Sequence, residues 1–540
     1  MKKKVIAMLL ATAMVASMAA CGNDNTPATS TETTPATTTE TQQVAAEYSQ
    51  DTLTMVVNGT LTATVENGQA EFEKQWEDAV GVDLVIEQLD HSNYKDLVGQ
   101  KFVSMYDNNG KPAADVMILS AEQYADYAST GVLWDMTEAY ANADFQSRLT
   151  NTAVNESMKI DGKLYGFAPT YGNGCVTYVK KAWIDAVGMK AEDIKTYEDY
   201  LELLRAFHTG DPDGNGVDGD TYGVVSAGFI GGEAPYVNYL PEFWQDAYPA
   251  ILQDESGEWY DGFQTDATKA ALQRIADAYA EGLINPASLT MGTKDARTNF
   301  WAADQTGSAG AFSYWAGSWA QNIADNLTKN ELDSELVYLA PIEEVGALID
   351  REAPVWVIID DMDGDNSREQ WIFDKFIETM GDGGEVQMLW VYGAKDVHWT
   401  TEAESFTTNA GTDSAKDYSY EAGQFHLKQS PNDPNTVWKK NVNDPALTIT
   451  AFEGEYATYQ TTNVLVDECN KFFIANSKAA PKSPSSALYS ETAGDITDAK
   501  TKAISDIVLN GVSVDDAMAT YVETVGATVE EVLAELNAAK

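Results

Sequence analysis

The residues of this chain best suited to bind a metal are the oxygen-bearing side chains of residues 211–220. Asp211, Asp213 and Asn215 occupy positions 1, 3 and 5 of a loop that has Gly216 at position 6. Carboxylate and amide oxygens at alternate positions can surround a hard cation, and the glycine permits the sharp turn that points them inward. The spacing therefore predicts a structural Ca2+ site.

The rest of this loop is less regular than an EF-hand. The backbone carbonyl of Val217 would supply the oxygen at position 7, but Tyr222 stands at position 12, where an EF-hand has glutamate. Either Asp218 or Asp220 would take a later position, and Asp220 is included in the predicted ligand set. The alternative is a solvated acidic turn. A second acidic run, residues 361–366, lacks the glycine at position 6, and we do not predict a metal site there.

Three aromatic residues lie close together later in the chain, and their pattern is typical of a sugar-binding site. Tyr314, Trp315 and Trp319 lie within six positions and are interspersed with glycine and serine, which leave the rings accessible. A sugar has apolar C–H faces that stack on aromatic rings, and polar edges that form hydrogen bonds. The alternative is core packing, because tryptophan is usually well buried.

Further candidates follow from where strands are predicted to end. Ligands of open α/β sheets bind outside the carboxyl ends of the strands. That rule places Asn58 after the first strand, and Ser120 with Gln123 after the third, beside a cleft. Trp356 follows Pro354 on a strand that re-enters the sheet. For each of these residues a purely structural role is the alternative.

The elements that would position these residues alternate between strand and helix. Residues 53–59, 82–86 and 115–119 have the pattern of buried strands, and residues 69–80, 94–106 and 121–128 have the pattern of amphipathic helices. This alternation predicts an α/β fold in which each lobe is a mostly parallel sheet flanked by helices.

Helix starts are marked by capping signals. Thr196 and Asp199 form a capping box before a helix that runs to Phe207. Ser513 and Thr528 are placed to begin two separate helices near the C-terminus.

The composition excludes some classes of function. The net charge is −50 at pH 7, so nucleic acid and anionic lipid would be repelled. The 540 residues less the first 50 exceed one typical hydrophobic core, which predicts at least two lobes. Cys175 and Cys469 are expected to be buried thiols, although the sequence leaves a disulfide between them open.

The N-terminus has the pattern of a bacterial export signal. Three lysines precede an apolar run, and Met18-Ala19-Ala20-Cys21 resembles the lipobox of bacterial lipoproteins. That resemblance implies removal of residues 1–20 and a diacylglyceryl group on Cys21, which would hold the protein on a membrane. Residues 21–50 are rich in Thr and Pro and predict a disordered tether. A plain signal peptide or an uncleaved anchor helix is the alternative.

Five passages occur in an order that resembles one protein family. They are Asp115 to Thr137, Asp161 to Pro169, Ala309 to Trp319, Trp390 to Trp399, and the tail from Val508 to Asn537. Together they are similar to the extracellular solute-binding proteins of carbohydrate ABC transporters (family 1). The last two passages are similar to the large lipoprotein branch of Gram-positive bacteria.

This resemblance implies a two-lobed fold of the periplasmic-binding-protein type, with crossing hinge strands and a ligand bound in the cleft between the lobes. Lobe 1 would comprise residues 51–167 plus about 340–392, and lobe 2 about 168–339 plus 393–540. By resemblance, Trp319 matches the aromatic that stacks on sugar, and Tyr171 lies where relatives often contact sugar.

The function implied by the resemblance is a lipid-anchored receptor that binds a sugar or oligosaccharide and delivers it to an ABC permease. The chain has no Gly-x-x-x-x-Gly-Lys-Ser/Thr loop, so ATP hydrolysis would belong to a partner. We expect no organic cofactor and no nucleic-acid partner. We expect a monomer on the extracellular face of the cytoplasmic membrane, in a Gram-positive cell.

Two other classes remain as alternatives. An extracellular glycoside hydrolase needs two carboxylates about 5–10 Å apart across a sugar cleft. With 84 acidic residues, such a pair would arise by coincidence and indicates nothing. No His-Glu-x-x-His or Gly-x-Ser-x-Gly motif is present, so we predict a binding protein rather than an enzyme. A peptide-binding receptor of the same architecture is the second alternative.

Overall fold

The structure is a computed structural model, and it describes residues 51–58, 68–90, 94–107, 111–128, 130–149, 152–169, 174–227, 236–350, 354–408, 416–429, 452–458, 464–484 and 486–538. The predicted signal peptide, Cys21 and the predicted tether lie outside these ranges, and so does Tyr171. Within the described ranges, no helix is both long enough and apolar enough to cross a bilayer.

The strands within these ranges are numbered in chain order. They are β1 (Thr52–Asn58), β2 (Asp83–Leu89), β3 (Val116–Leu119), β4 (Cys175–Lys180), β5 (Tyr222–Val225), β6 (Ile251–Gln253), β7 (Trp259–Asp261), β8 (Ala309–Trp315), β9 (Leu336–Leu339), β10 (Leu348–Ile349), β11 (Val355–Ile358), β12 (Trp399–Thr400), β13 (Glu404–Thr408), β14 (Lys416–Tyr420), β15 (His426–Leu427) and β16 (Ser477–Lys478).

The α-helices are numbered in the same way. They are α1 (Gln69–Val80), α2 (Tyr94–Val103), α3 (Ala121–Ala128), α4 (Thr137–Asn142), α5 (Ala153–Ser157), α6 (Lys181–Ala186), α7 (Tyr197–Thr209), α8 (Pro241–Trp244), α9 (Asp266–Ala280), α10 (Thr293–Phe300), α11 (Ser318–Lys329), α12 (Ser367–Ile372), α13 (Glu378–Met380), α14 (Glu385–Tyr392), α15 (Val464–Asn476), α16 (Ala487–Val508) and α17 (Val514–Ala538). A π-helical turn, Phe373–Ile377, joins α12 to α13.

The first sheet has the strand order β11-β3-β1-β2. β1 pairs in parallel with β2 and β3, whereas β11 runs antiparallel to β3. Side chains alternate between the two faces, as the pleat requires. Met55 and Trp356 lie in a core with α1 and α14, and Val56 and Val357 lie in a second core with α2 and α3. Both faces of this sheet are therefore covered by helices, as the sequence predicts.

The second sheet has the order β5-β8-β4-β9. β5 is parallel to β8, but β4 is antiparallel to both β8 and β9. Val179 and Ala311 lie in a core with α7, α9, α16 and α17, and Tyr178 and Phe312 lie in a core with α10, α11 and α15. This sheet is therefore mixed, and the predicted predominance of parallel pairs holds only for the first sheet.

Described residues on either side of three positions belong to different cores, so the chain passes from one sheet to the other between residues 169 and 174, between 350 and 354, and between 458 and 464, and these three passages are called crossings. Phe167 forms an antiparallel bridge to Trp356, and Gly174 forms one to Asp350, so the described residues at the two ends of the first crossing pair with those at the two ends of the second. The ends of the first two crossings therefore lie next to each other, which brings the adjoining strand ends of the two sheets together.

The hydrophobic packing divides the chain differently from the predicted lobe boundaries. Ile342 and Val345 pack in the core of the second sheet, although residues from about 340 were expected in lobe 1. Ala394 and Trp399 pack in the core of the first sheet, although 393–540 was expected in lobe 2. The reason is a turn after α14, where the Trp399 Nε1 donates to the Gly393 carbonyl at 2.8 Å and holds the chain on the first sheet.

Candidate functional site

The candidate site lies where strand ends of both sheets meet the crossings. Trp315 at the end of β8 pairs with Cys175, which follows the first crossing. Leu119 at the end of β3 pairs with Val355, which follows the second crossing. The residues that follow β3 and β8 therefore face the junction between the two sheets, where ligands of open α/β sheets bind.

The three predicted aromatics form one cluster at the end of β8. The ring centroid of Tyr314 lies 5.0 Å from that of Trp319 at an interplanar angle of 83°, and 6.4 Å from that of Trp315. Tyr314 is 1% exposed, whereas Trp315 and Trp319 are half-buried. Tyr314 is thus a support for the two tryptophans, whose rings retain surface that a ligand can contact.

Two residues that the sequence did not indicate complete this aromatic cluster. The Nη1 of Arg297 on α10 donates to the Tyr314 hydroxyl at 2.8 Å, and its Cζ lies 4.5 Å from the ring centroid of Trp319. The Tyr239 ring stacks on that of Tyr314 at 6.0 Å and meets Trp315 edge-on at 6.4 Å. A guanidinium over an indole face is a favourable cation–π contact and fixes the tilt of Trp319.

The turn between β8 and α11 is held from two sides. The Tyr178 hydroxyl donates to the Trp315 carbonyl at 2.7 Å, and the Gly317 N–H donates to Cys469 Sγ at 3.3 Å. Gly317 has a φ of 72°, and a Cβ there would lie 2.6 Å from Asn470 Oδ1. Glycine therefore allows the chain to turn from strand to helix beneath α15, which sets the position of Trp319. Cys175 and Cys469 are both buried thiols and form no disulfide, as expected.

On the first sheet, two predicted residues have a clear local role. Ser120 Oγ accepts the Gln123 N–H at 3.2 Å, and Gln123 Oε1 accepts the Ser120 N–H at 3.4 Å. This reciprocal pair is a capping box for α3. Ser120 is exposed beside the junction, but Gln123 is 5% exposed. The strand end at Asn58 is where the sequence placed it, while the Asn58 side chain and Tyr171 lie outside the described positions.

Trp356 does not reach the junction. Its side chain is 0% exposed, and its ring packs edge-on against Phe376 at 4.9 Å and Trp390 at 6.0 Å. Alternate residues of a strand point to opposite faces of the sheet, and the Trp356 side chain lies on the face of the first sheet that packs against α1 and α14. Trp356 is a core residue, and the expectation that it contacts ligand is withdrawn.

The acidic loop adopts a tight turn with its side chains directed inward. Asp211 Oδ2 accepts the Gly216 N–H at 2.9 Å, and the Asn215 amide donates to Asp213 at 3.0 Å and to Asp220 at 2.8 Å. Burial, and then the neighbouring carboxylates, raise the pKa of Asp213.

Two carboxylate oxygens of this loop bear on whether its residues fit a cation. The Oδ1 atoms of Asp211 and Asp220 are buried and accept no hydrogen bond from the described residues. Buried carboxylate oxygens without a donor are costly unless a cation neutralises them. The donor set, all oxygen and mostly anionic, fits Ca2+.

Two curated proteins are similar to this chain in sequence. The chain is 27% identical over 215 residues to Lipoprotein LipO of Bacillus subtilis, covering 39% of this chain and 41% of LipO. It is 26% identical over 162 residues to the polygalacturonan/rhamnogalacturonan-binding protein YtcQ of the same organism, covering 29% of this chain and 30% of YtcQ. The matched regions thus span less than half of these curated relatives.

Similarity to a solved structure extends over a larger share of the chain. The N-glycan transport solute-binding protein NgtS of Streptococcus pneumoniae superposes with a TM-score of 0.56 at 15% identity, over 90% of this chain and 97% of that protein. This likeness confirms the two-lobed α/β fold. Residues 19–341 match the family described as bacterial extracellular solute-binding protein, and the chain therefore belongs to that family.

Proposed function

We propose that the protein is a receptor that binds an oligosaccharide between its two lobes and delivers it to an ABC permease. The observation that carries the proposal is the cluster of Trp315, Trp319 and Arg297 at the junction of the sheets. Half-buried indoles beside a guanidinium offer stacking surface and hydrogen-bond donors together, which is the combination a sugar requires.

The geometry indicates how a sugar would be held. Arg297 covers one face of Trp319 and uses one N–H on the Tyr314 hydroxyl, so its remaining N–H groups can donate to sugar hydroxyls. The remaining surface of Trp319 and the half-buried Trp315 would stack on successive rings. Tyr314 and Tyr239 would hold both indoles in place without touching the ligand.

A panel of glycans tests the receptor role. Full-length mature protein is heated with neutral oligosaccharides, galacturonate oligosaccharides, N-glycans and short peptides, and the melting temperature is recorded. Binding to the folded state alone raises stability by about 2.7 kcal/mol when the ligand is at 100 times its Kd. We expect one glycan class to raise the melting temperature and to be recovered intact by mass spectrometry. Cleavage of the glycan, or stabilisation by peptides alone, would overturn the proposal.

Membrane attachment is proposed through a diacylglyceryl group on Cys21, with the protein displayed on the extracellular face of the cytoplasmic membrane. The lipobox-like Met18-Ala19-Ala20-Cys21 and the membership of an extracellular family support this. Cys21→Ser in the producing cell should move the protein from the membrane fraction to the medium. Retention in the membrane fraction would contradict lipid attachment at this residue.

A structural Ca2+ in the loop of residues 211–220 is proposed, held by Asp211, Asp213, Asn215, Asp220 and the Val217 carbonyl. The two buried oxygens without donors support it. EDTA should lower the melting temperature and Ca2+ should restore it. Asp213→Asn should shrink this response, whereas the control Asp295→Asn, on the exposed side of α10, should leave it unchanged. An equal response in both variants would remove the loop as a metal site.

A further inference from the structure

A second group of acidic side chains lies at the end of β11, far from the aromatic cluster. One carboxylate oxygen from each of Asp360, Asp361 and Glu369 lies within 4.8 Å of the others. Asp360 and Asp361 follow the strand, and Glu369 comes from α12. The fold therefore brings together three carboxylates that would repel one another if nothing lay between them.

Glu369 is the unusual member of this group. It is 1% exposed, and its Oε1 accepts the Asp361 N–H at 2.9 Å. Its Oε2 is buried and has no hydrogen-bond partner among the described residues. Such an oxygen loses its hydration on folding and gains no hydrogen bond in return, which is unfavourable for a charged group.

The surroundings add to that cost. The carboxylates of Asp360 and Asp361 lie beside the buried Glu369 side chain. Arg368, its neighbour in sequence, donates instead to Asp115 Oδ1 and to the Thr52 carbonyl, both at 2.9 Å. A buried acidic residue in such a group is explained if a positive charge occupies the space between the carboxylates.

We propose that Asp360, Asp361 and Glu369 bind a divalent cation, and that this cation is Ca2+. Three anionic oxygens on flexible side chains suit Ca2+, which accepts irregular oxygen geometry at about 2.3–2.6 Å. Mg2+ demands near-octahedral geometry at shorter distances and keeps most of its water ligands. A partly buried group with three carboxylates meets these requirements less well than those of Ca2+.

The position of the site indicates a structural role. Ile358 at the end of β11 pairs with Val116 at the start of β3, so the site lies at the edge of the sheet opposite the junction. The Tyr106 hydroxyl donates to the Asp360 carbonyl at 2.7 Å, which links the segment after α2 to the same point. A cation here joins the edge strand to α12 and strengthens the first lobe without contacting the sugar.

Direct counting of bound calcium tests the proposal independently of the loop at residues 211–220. The full mature chain, freed of metal, carries Asp211→Asn and Asp213→Asn so that the loop is disabled. Equilibrium dialysis against radioactive Ca2+ then gives the number of ions bound and the Kd. We expect one ion per chain in this background, and Glu369→Gln should raise its Kd at least tenfold. The glutamine retains an oxygen for the Asp361 N–H, so the fold should persist.

The matched control is Asp374→Asn, an exposed carboxylate on the π-helical turn that follows α12. It should leave the number of ions and the Kd unchanged. The proposal is overturned if the loop-disabled background binds no Ca2+, or if Glu369→Gln binds Ca2+ as tightly as that background. Circular dichroism of each variant confirms that a change in binding does not come from unfolding.

Discussion

Trp319 and Trp356 show how one residue type takes two roles in this molecule. Trp319 is half-buried beneath Arg297, at a place where the chain leaves a strand next to the crossings. Trp356, on β11, is fully buried against Phe376 and Trp390. The difference comes from their elements, because Trp319 lies in the first turn of α11 beside the junction, whereas the Trp356 side chain on β11 points into the core of the first sheet.

Trp356→Phe should therefore affect stability rather than binding. Loss of the larger ring leaves a cavity against Phe376, and we expect a loss of about 1–3 kcal/mol in the free energy of unfolding. Urea unfolding gives the stability, and calorimetric titration at low temperature gives the glycan Kd. A weaker glycan affinity at unchanged stability would show that Trp356 contacts ligand after all.

Glu242 predicts a pH dependence of stability. It is 5% exposed, accepts the Thr177 hydroxyl at 2.6 Å, and burial raises its pKa above the usual 4.5. The folded protein thus holds this proton more tightly than the unfolded chain does. Its contribution to stability is greatest below pH 4.5 and is lost as the pH rises through the raised pKa.

Glu242→Gln should remove that pH dependence. We expect the variant to melt at a higher temperature than the unmodified protein at pH 8, with a smaller gain at pH 5. Melting curves from pH 5 to pH 8 measure this. Glu202→Gln, exposed on α7, is the control and should give no such trend. A variant that is destabilised equally at every pH would mean that the Glu242 carboxylate is ionised and well solvated.

The sequence predicted part of the site at the scale of residues. Tyr314, Trp315 and Trp319 were found because they are neighbours in the chain. Arg297 and Tyr239 were missed because they reach the cluster from a helix and a 3-10 turn that precede β8, and no spacing rule links them to it. Their residue types, an arginine and a tyrosine, were the only sequence signal that these two residues could belong to the cluster.

At the scale of elements, local signals were reliable where one short segment determines the structure. The capping box of Thr196 and Asp199 is present, with the Thr196 hydroxyl accepting the Asp199 N–H at 3.3 Å. Phe72, Trp76 and Val80 form the buried stripe of α1, as their spacing predicts. These features depend on neighbours within about one or two helical turns.

Other elements depend on distant partners and were predicted less well. A helix start was expected at Thr528, but α17 runs without interruption from Val514 to Ala538. Val529 and Val532 continue its buried stripe, and Val532 packs against Ile251 and Trp259. A capping motif inside a longer amphipathic stripe is overridden by tertiary packing.

Thr196→Ala tests the contribution of the cap of α7. Loss of the side-chain acceptor leaves an N–H of the first turn unpaired, and we expect a loss of about 0.5–2 kcal/mol in the free energy of unfolding. Thr209→Ala, at the exposed end of the same helix, is the control and should change stability by less than about 0.5 kcal/mol. Equal effects from the two substitutions would mean that the cap does not stabilise α7.

At the scale of the whole molecule, the paired crossings explain why the site lies between the lobes. The bridges of Phe167 to Trp356 and of Gly174 to Asp350 hold the ends of the two sheets next to each other. Residues on both sheets then share one junction, and small rotations about the crossings would open or close it. Length predicted at least two lobes, and the resemblance predicted two lobes with a first boundary near residue 167, next to the first crossing. The later crossing points required the observed packing.

The central claim, that an oligosaccharide stacks on Trp319, is tested most directly by calorimetric titration of the glycan that stabilises the protein into Trp319→Ala. We expect the binding free energy to weaken by about 1–3 kcal/mol, which is roughly a 5- to 150-fold rise in Kd. Trp371→Ala, which removes a half-buried tryptophan of α12 far from the junction, should bind with unchanged affinity. An unchanged Kd in Trp319→Ala would contradict the account.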